Sequence, residues 1–294
     1  MSRVYDALRK LEEQGRESAS NAPKTVIVPP RSPDQLLAVP SLQARIGPED
    51  RIVVYSDRRS PGAERFRLIR LALRNCQASK SRKVLLITSP LPRDGKSTVA
   101  LNLATSLAEE GKVKVLLLEA DLHRPSLLQH LGVERICGLT EVLEDETEPS
   151  MAIRKIEPLG FYLLPSGRAP QNPTELLQSE GFHGLLKDFK GCFDWVLIDC
   201  PPAFPLADVV ALRAHADGVL LVARADSTPR EAVQETVQLF KPGQVVGMIL
   251  NAEEGVNHLY SHYYYRKNGG GYFERPGDQS ERTRAGRSNA GRDS

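Results

Sequence analysis

The chain has 294 residues, of which 40% are hydrophobic and 26% are charged, proportions that are ordinary for a globular protein. This composition excludes collagen-like, wholly disordered and disulfide-scaffold proteins, and a formal net charge of +2 is too small to favour nucleic acid as a partner. No apolar run approaches the roughly 18 residues of a membrane-spanning helix, so we expect a cytoplasmic protein with one main domain.

The two ends of the chain have a different character from its middle. Residues 1–15 carry apolar side chains at the spacing of a short amphipathic helix. Residues 16–61 are rich in proline and include one strand-like patch at 51–55, which predicts a linker. Residues 259–294 are dominated by tyrosine at first and then by Gly, Ser, Arg and Asp, which predicts a flexible tail.

Between these ends, in residues 62–258, short continuous apolar runs alternate with helical patterns. Apolar runs without polar alternation fit strands that are buried on both faces, as in a parallel sheet covered by helices. The sequence therefore predicts an α/β domain of the P-loop NTPase type, with a mostly parallel sheet flanked by helices on both faces. The expected strands are residues 84–87, 113–118, 161–164, 195–198, 218–223 and 245–250.

The first expected strand leads through Thr-Ser-Pro-Leu-Pro-Arg-Asp-Gly-Lys-Ser-Thr into an amphipathic segment at 97–111. This is the pattern of a phosphate loop, GxxxxGK[ST], except that Pro90 stands where the first glycine is usual. The glycine lets the backbone approach an anion, the lysine can reach the β- and γ-phosphates, and the serine hydroxyl can bind Mg²⁺. We expect a nucleotide to be bound by Pro92, Arg93, Asp94, Gly95, Lys96, Ser97 and Thr98, and by Asn251 after the last strand.

Two further strands end in carboxylates. The strand at 113–118 continues into Glu119 and Asp121, and the strand at 195–198 ends in Asp199, in the manner of a Walker B motif. The carboxyl ends of parallel strands meet at one edge of a sheet, where acids beside a polyphosphate can hold a metal or accept a proton. We expect Ser97, Asp121 and Asp199 to bind the metal, and Lys96, Glu119, Asp121 and Asp199 to be catalytic.

Five of the eight tyrosines lie close together just beyond the last expected strand, beside a run of glycines. Tyrosines of a protein core are spaced by the helices and strands that carry them, and these tyrosines are not. The cluster therefore favours a substrate segment whose phenolic hydroxyls enter an active site. A merely adhesive aromatic tail is the alternative. The candidate phosphoacceptors are Tyr260, Tyr263, Tyr264, Tyr265 and Tyr272.

An ExxRxxR pattern places Glu64, Arg67 and Arg70 on one face of an expected helix. Such a face is either a solvated set of ion pairs or an arginine-rich contact between subunits. The sequence leaves both interpretations open.

Taken together, these motifs resemble those of the bacterial tyrosine autokinases of capsular and exopolysaccharide synthesis (BY-kinases), over about residues 60–272. The resemblance implies ATP and Mg²⁺ as cofactors, phosphorylation of the C-terminal tyrosines in trans, and a ring-shaped homo-oligomer formed through ExxRxxR. It also implies a separate membrane-spanning activator with a polysaccharide chain-length domain, which would keep the kinase peripheral to the inner membrane.

Two positions depart from the family pattern. Glu119 stands where the family has an aspartate that is the proposed base, and His123 stands where an arginine is expected. If Glu119 has the family role, then Glu119→Asp should keep or raise the activity.

Two other functions remain open. One is a partition- or septum-type ATPase of the same fold, although those proteins have a second lysine where this chain has Leu91. The other is a catalytically weak regulatory protein that binds MgATP as an assembly switch, to which the departures at Glu119 and His123 point.

Overall fold

The structure is a computed structural model, and it describes residues 37–80, 82–109, 111–204 and 208–252. The expected N-terminal helix at 1–15 and the tyrosine-rich tail at 259–294 lie outside these residues. The chain divides into two units after Asn251, and the helices and strands that are described belong to the first unit.

The described residues form an eight-stranded sheet with the strand order β1-β4-β5-β3-β6-β2-β7-β8. Every neighbouring pair is parallel except β4 and β5, which run antiparallel. The strands are β1 (Ser41–Gln43), β2 (Val84–Thr88), β3 (Val115–Glu119), β4 (Arg154–Glu157), β5 (Tyr162–Leu164), β6 (Trp195–Asp199), β7 (Gly218–Arg224) and β8 (Val245–Asn251).

Helices cover both faces of this sheet and enclose two apolar clusters, one on each side. A 3₁₀ turn at Pro48–Asp50 precedes them. The helices are α1 (Val53–Ser56), α2 (Pro61–Lys80), α3 (Lys96–Ala108), α4 (Leu127–His130), α5 (Leu139–Leu143), α6 (Pro149–Ala152), α7 (Pro173–Gln178), α8 (Glu180–Cys192), α9 (Asp208–Leu212) and α10 (Arg230–Gln238).

The central strands β2, β3 and β6 are buried at every position. Their uninterrupted apolar sequences follow from this position, because both faces of a central parallel strand pack against helices. All six expected strands are present, with ends that differ by at most two residues. The predicted α/β fold with a mostly parallel sheet and helices on both faces is confirmed.

The prediction that the domain begins at residue 62 is wrong, because earlier residues belong to the sheet and its core. Strand β1 pairs with β4, and Ile52 and Val54 are almost fully buried against α3. The prediction of a strand at 51–55 is also wrong, because residues 53–55 belong to the helix α1. The side chain of Asn102 on α3 accepts a hydrogen bond from Val54 N and donates one to Arg51 O, so tertiary contacts decide this local conformation.

Strand β4 was not predicted, because its sequence Arg-Lys-Ile-Glu has one buried apolar residue and no apolar run. It pairs antiparallel with β5 through a tight connection and lies parallel to the short strand β1 on its other side. Residues near an edge of the sheet do not need to be apolar on both faces, and the sequence signal is weak there.

The fold brings the expected functional residues to one edge of the sheet. Ile87 of β2 and Glu119 of β3 are both in register with Asp199 of β6. The carboxyl ends of these three neighbouring strands therefore lie side by side, with the phosphate loop following β2.

Within the described ranges, the structure contains no helix that is long and apolar enough to span a membrane.

Candidate nucleotide site

The loop between β2 and α3 adopts a backbone conformation that requires a glycine at position 95. Gly95 has φ +95°, and a β-carbon at this position would lie 2.0 Å from Nδ2 of Asn251. Arg93 also has a positive φ of 69°, an uncommon conformation for a residue with a side chain. Glycine is therefore required at 95 by both the backbone conformation and the neighbouring side chain.

Asp94 and Asn251, two of the expected nucleotide-binding residues, hold this loop in shape. The buried carboxylate of Asp94 accepts hydrogen bonds from Leu91 N at 3.0 Å and from the Thr228 hydroxyl at 2.7 Å. Asn251 Nδ2 donates to Asp94 O at 2.9 Å. The loop is thereby joined to the segment after β7 and to the end of β8.

Pro92 and Arg93, by contrast, are exposed at the turn of the loop. No motif marked Thr228 as part of the site, because its role depends on a contact across 134 residues of sequence.

Lys96 is surrounded by the residues that the motifs assigned to the metal. Its Nζ lies 2.9 Å from Asp121 Oδ2 and 3.6 Å from Asp199 Oδ1, and it donates to the Ser97 hydroxyl at 3.1 Å. Burial alone would lower the pKa of Lys96, but the carboxylates of Asp199 and Asp121 outweigh that effect and raise it. Lys96 is therefore a fixed positive charge at this edge of the sheet.

Asp199 is fully buried, and neither of its carboxylate oxygens accepts a hydrogen bond from a described residue. Burial raises its pKa from 3.8 to about 6, and the nearby Lys96 only partly offsets this. A buried carboxylate without hydrogen-bond donors is unfavourable, and a second cation bound beside it would reduce the cost that Lys96 leaves.

These observations fit a Mg²⁺ ion. Ser97, Asp121 and Asp199 supply the hydroxyl and carboxylate oxygens that this ion prefers, and the oxygens of Asp199 are free to receive it. When bound, the ion would neutralise charge on the phosphates of a nucleotide.

Glu119 lies in a different environment from the one expected for a catalytic base. Its Oε1 accepts hydrogen bonds from Ser126 N at 2.6 Å and Leu127 N at 2.7 Å, and its Oε2 accepts one from Ser166 N at 3.1 Å. The side chain is 1% exposed. Glu119 thus joins the end of β3 to the start of α4 and to the loop after β5, and both of its oxygens are occupied.

This arrangement explains why a glutamate stands at 119. Its extra methylene extends the carboxylate toward two backbone segments, the start of α4 and the loop after β5. The sequence could not indicate this role, because the donors are backbone N–H groups, which nearly every residue type carries.

His123 and two residues that no motif marked form a second polar group at the same edge. His123 Nε2 lies 2.8 Å from Asp208 Oδ2, and the Thr174 hydroxyl donates to Asp208 Oδ1. Asp208 follows β6 in sequence, and Thr174 lies in the first turn of α7.

The ExxRxxR residues on α2 make contacts within the chain. Arg67 Nη1 lies 2.9 Å from Glu64 Oε2, and its Nη2 donates to the carbonyl of Arg58. Arg70 is largely buried, and its Nη1 contacts Ser106 O at 2.8 Å and Glu109 Oε2 at 2.7 Å. The three side chains therefore do not form one solvated face, since the two arginines turn toward α3.

The five candidate phosphoacceptor tyrosines, from Tyr260 to Tyr272, lie outside the described residues.

A family model described as an AAA domain matches residues 94–244. The chain is 32% identical to the tyrosine-protein kinase YwqD of Bacillus subtilis over 218 residues, which are 74% of this chain and 92% of that protein. It is 34% identical to the succinoglycan biosynthesis transport protein ExoP of Rhizobium meliloti over 206 residues, 68% of this chain and 26% of that protein.

Solved structures agree with these similarities. The kinase domain of the Escherichia coli tyrosine kinase ETK matches with a TM-score of 0.65 and 27% identity, covering 70% of this chain and 82% of that one. A ParA family ATPase from Chlorobium tepidum matches with a TM-score of 0.51 and 20% identity, covering 62% and 78% of the two chains, and shares the fold alone.

The matched relatives differ in length. The chain spans nearly all of YwqD, but only 26% to 30% of ExoP and of two further tyrosine-kinase relatives.

Replacing Asp199 with Asn should stabilise the protein in the absence of nucleotide by about 1–2 kcal/mol, because the variant no longer buries a carboxylate without donors. The same change should abolish the rise in melting temperature that MgATP produces, because a metal ligand is lost. Thermal unfolding with and without MgATP measures both effects. The exposed Asp57→Asn is the matched control, and a destabilised Asp199→Asn protein would contradict this account.

The stability gain of Asp199→Asn should depend on pH. Since burial raises the pKa of Asp199 to about 6 in the folded protein, the native carboxyl group takes up a proton below that pH and then resembles the amide. The advantage of the variant should therefore be full above pH 6 and shrink as the pH falls toward 3.8, the ordinary value for aspartate. A pH-independent difference would indicate that Asp199 is not charged in the folded protein.

Both Glu119→Asp and Glu119→Gln should lower the stability by about 1–3 kcal/mol, in contrast to what the motif resemblance predicts for Asp. The shorter side chain cannot reach all three N–H donors, and the amide replaces one acceptor with a donor. Urea unfolding and a phosphorylation assay should show stability and activity falling together. A Glu119→Asp protein with full stability and activity, beside an inactive but stable Glu119→Gln protein, would instead support a role as base.

Proposed function

Since the chain belongs to the family of bacterial tyrosine-protein kinases, we propose that it transfers the γ-phosphoryl group of ATP, with Mg²⁺, to tyrosines in the C-terminal segment of another copy. The observation that carries the proposal is the position of Lys96 between Asp121 and Asp199, directly after the phosphate loop. In the transfer, the tyrosine oxygen bonds to the γ-phosphorus, the bond from that phosphorus to the bridging oxygen of ADP breaks, and the phenolic proton is released to solvent.

The arrangement of charges supports transfer of a phosphoryl group. Lys96 can meet the β- and γ-phosphates, while Ser97 and Asp199 offer oxygens to the metal. Asp121 contacts Lys96 through one oxygen and accepts a hydrogen bond from Arg124 N through the other. Glu119 is a positioning residue in this mechanism, because it shapes the loops around the site without a free oxygen to offer.

The names of the relatives support a biological role in the synthesis and export of an extracellular polysaccharide. We propose that this kinase regulates that process, and that its partner is a separate membrane-spanning protein with a polysaccharide chain-length domain. The partner would recruit the kinase to the inner membrane and activate it.

The partition- or septum-type ATPase is the weaker alternative. The ParA family ATPase from Chlorobium tepidum is 20% identical and shares only the fold. Leu91 also occupies the position where such ATPases have a second lysine. The other alternative is an assembly switch that binds MgATP without transferring phosphate. A protein that binds the nucleotide but transfers no phosphate would favour this function.

We also propose that the kinase forms a ring of identical subunits through the outer face of α2. Glu64, Leu68 and Leu71 recur at the i, i+4 and i+7 spacing of one helix face, and both leucines are more than half exposed. Arg67 and Arg70 contact Glu109 on the inner side, so they would support the interface by fixing α2 in place.

Transfer in trans can be separated from transfer within one copy. A Lys96→Met protein should accept phosphate but not transfer it, because it lacks the charge that meets the phosphates. A protein with all five tail tyrosines changed to Phe should transfer phosphate but not accept it. Mixed with labelled ATP and Mg²⁺, the pair should label the Lys96→Met protein, while neither protein is labelled alone.

Mass spectrometry of the labelled protein completes this test. Phosphate on Tyr260, Tyr263, Tyr264, Tyr265 or Tyr272 supports the proposal. If the mixed proteins bind MgATP but neither of them becomes labelled, the result would contradict the kinase function and favour the assembly switch.

The subunit contact makes a separate prediction. Replacing Leu68 and Leu71 with Ser should reduce the sedimenting mass, but should lower the free energy of unfolding by no more than about 1 kcal/mol, because both side chains are exposed. Arg70→Ala is the contrasting control. It should lower the stability by about 1–3 kcal/mol, since Glu109 and Ser106 O lose a partly buried partner. Unchanged sedimentation of the double Ser variant would exclude this face as the contact.

A further inference from the structure

Two histidines from separate elements meet at the surface of the domain. His183 is exposed on α8, and the partly exposed His215 lies in the segment between α9 and β7. Their Nδ1 atoms are 3.4 Å apart, and the planes of the two rings are inclined by 48°. The buried ring of Phe182 packs edge-on against the ring of His215. Two nitrogens that can each carry a lone pair are therefore held close together.

The distance between these two nitrogens is long for a hydrogen bond. One ring could donate its Nδ1–H to the Nδ1 of the other, but the hydrogen bonds of N–H groups are usually about 2.7–3.2 Å long. At 3.4 Å such a bond is weak. A hydrogen bond therefore accounts poorly for the approach of two imidazoles that are in contact with solvent.

The same distance suits two ligands of one tetrahedral metal ion. Bonds from Zn²⁺ to imidazole nitrogen are about 2.0–2.1 Å long, so two nitrogens at the tetrahedral angle lie about 3.3–3.4 Å apart. Ligands at a right angle, as around square-planar or octahedral ions, would lie only about 2.8–3.0 Å apart for bonds of that length. The observed 3.4 Å therefore favours a tetrahedral ion such as Zn²⁺, which imidazole binds well.

The surrounding charges keep His215 in the form that binds a metal. Burial lowers the pKa of His215, and the neighbouring His183 and Lys190 lower it further, so the imidazole is neutral at neutral pH. The positive charge of Lys190 is balanced by Asp217, whose Oδ1 lies 2.8 Å from its Nζ. Glu180 adds a negative charge that acts on His215. A cation bound between the two rings would therefore meet no unbalanced positive charge from Lys190.

Within the ranges that the structure describes, no group of three His, Cys, Asp or Glu side chains could hold a metal ion. A tetrahedral ion on His183 and His215 would thus take water in its other two positions. Structural zinc sites have four protein ligands, whereas sites with open positions leave the ion accessible. The pair therefore fits an exchangeable ion.

We propose that Nδ1 of His183 and Nδ1 of His215 bind a Zn²⁺ ion, with water in the two remaining positions. The ion joins α8 to the segment before β7, across 32 residues of sequence. Neither histidine belongs to the nucleotide site, so this second metal site is independent of the proposed kinase function.

The test titrates the metal-free, full-length chain with Zn²⁺ and follows the heat of binding and the melting temperature. Excess Mg²⁺ is present throughout, so that the carboxylates of the nucleotide site are not available to Zn²⁺. We expect Zn²⁺ to bind at one ion per chain and to raise the melting temperature, because an ion that binds two elements of the folded protein stabilises it.

His183→Ala and His215→Ala should each weaken Zn²⁺ binding by at least about 10-fold, because each removes one of the two protein ligands. His215→Ala leaves a gap beside Phe182 and should melt lower without metal. His183 is exposed, so His183→Ala should melt like the unmodified protein without metal and show the loss of Zn²⁺ binding in a folded chain. The affinity for MgATP should be unchanged in both variants.

The matched control is the double variant His258→Gln, His262→Gln, which also removes imidazoles but leaves the pair intact. It should bind Zn²⁺ as the unmodified protein does. The proposal is overturned if the unmodified chain does not bind Zn²⁺ in excess Mg²⁺, if His183→Ala binds it normally, or if only the control loses binding. One ion for every two chains, with a doubled sedimenting mass, would overturn binding within a single chain.

Discussion

The attraction between Lys96 and two carboxylates is the interaction on which the site depends. Asp199 has no hydrogen-bond donor among the described residues, so without a cation nearby its burial would be strongly unfavourable. Lys96 provides this cation, and Asp121 completes the group at 2.9 Å. A metal ion and a polyphosphate bound here would interact with these same charges.

A surrounding set of polar contacts keeps these charges in place. Asp94 holds the phosphate loop to Thr228, and Glu119 holds the end of β3 to Ser126 and Ser166. The contacts to Thr228 and to Ser166 join segments that are 134 and 47 residues apart in sequence. The phosphate site is therefore positioned by the whole carboxyl edge of the sheet, and its geometry should be sensitive to changes well outside the phosphate loop.

Sequence alone was sufficient for the parts of this protein that have a strong periodic or chemical signature. The buried strands could be predicted from continuous apolar runs. The motifs at strand ends also predicted that Lys96, Ser97, Asp121 and Asp199 lie together at one edge of the sheet. Other features depend on tertiary contacts that leave no pattern. The helix at Val53–Ser56 forms because Asn102 pairs with its backbone, β4 has only one buried apolar residue, and Glu119 contacts backbone groups. The contact between His123 and Asp208 crosses 85 positions of sequence, and no spacing rule could have identified it.

Strand β1 also protects the sheet. It occupies the side of β4 that faces away from β5, where backbone N–H and C=O groups would otherwise be unpaired. A fragment cut at residue 62, or at the start of the region that matches the AAA domain, would uncover that edge. Exposed strand edges pair readily with other chains, which leads to aggregation. Three residues before the first recognisable motif thus decide whether a truncated fragment keeps the edge of β4 paired.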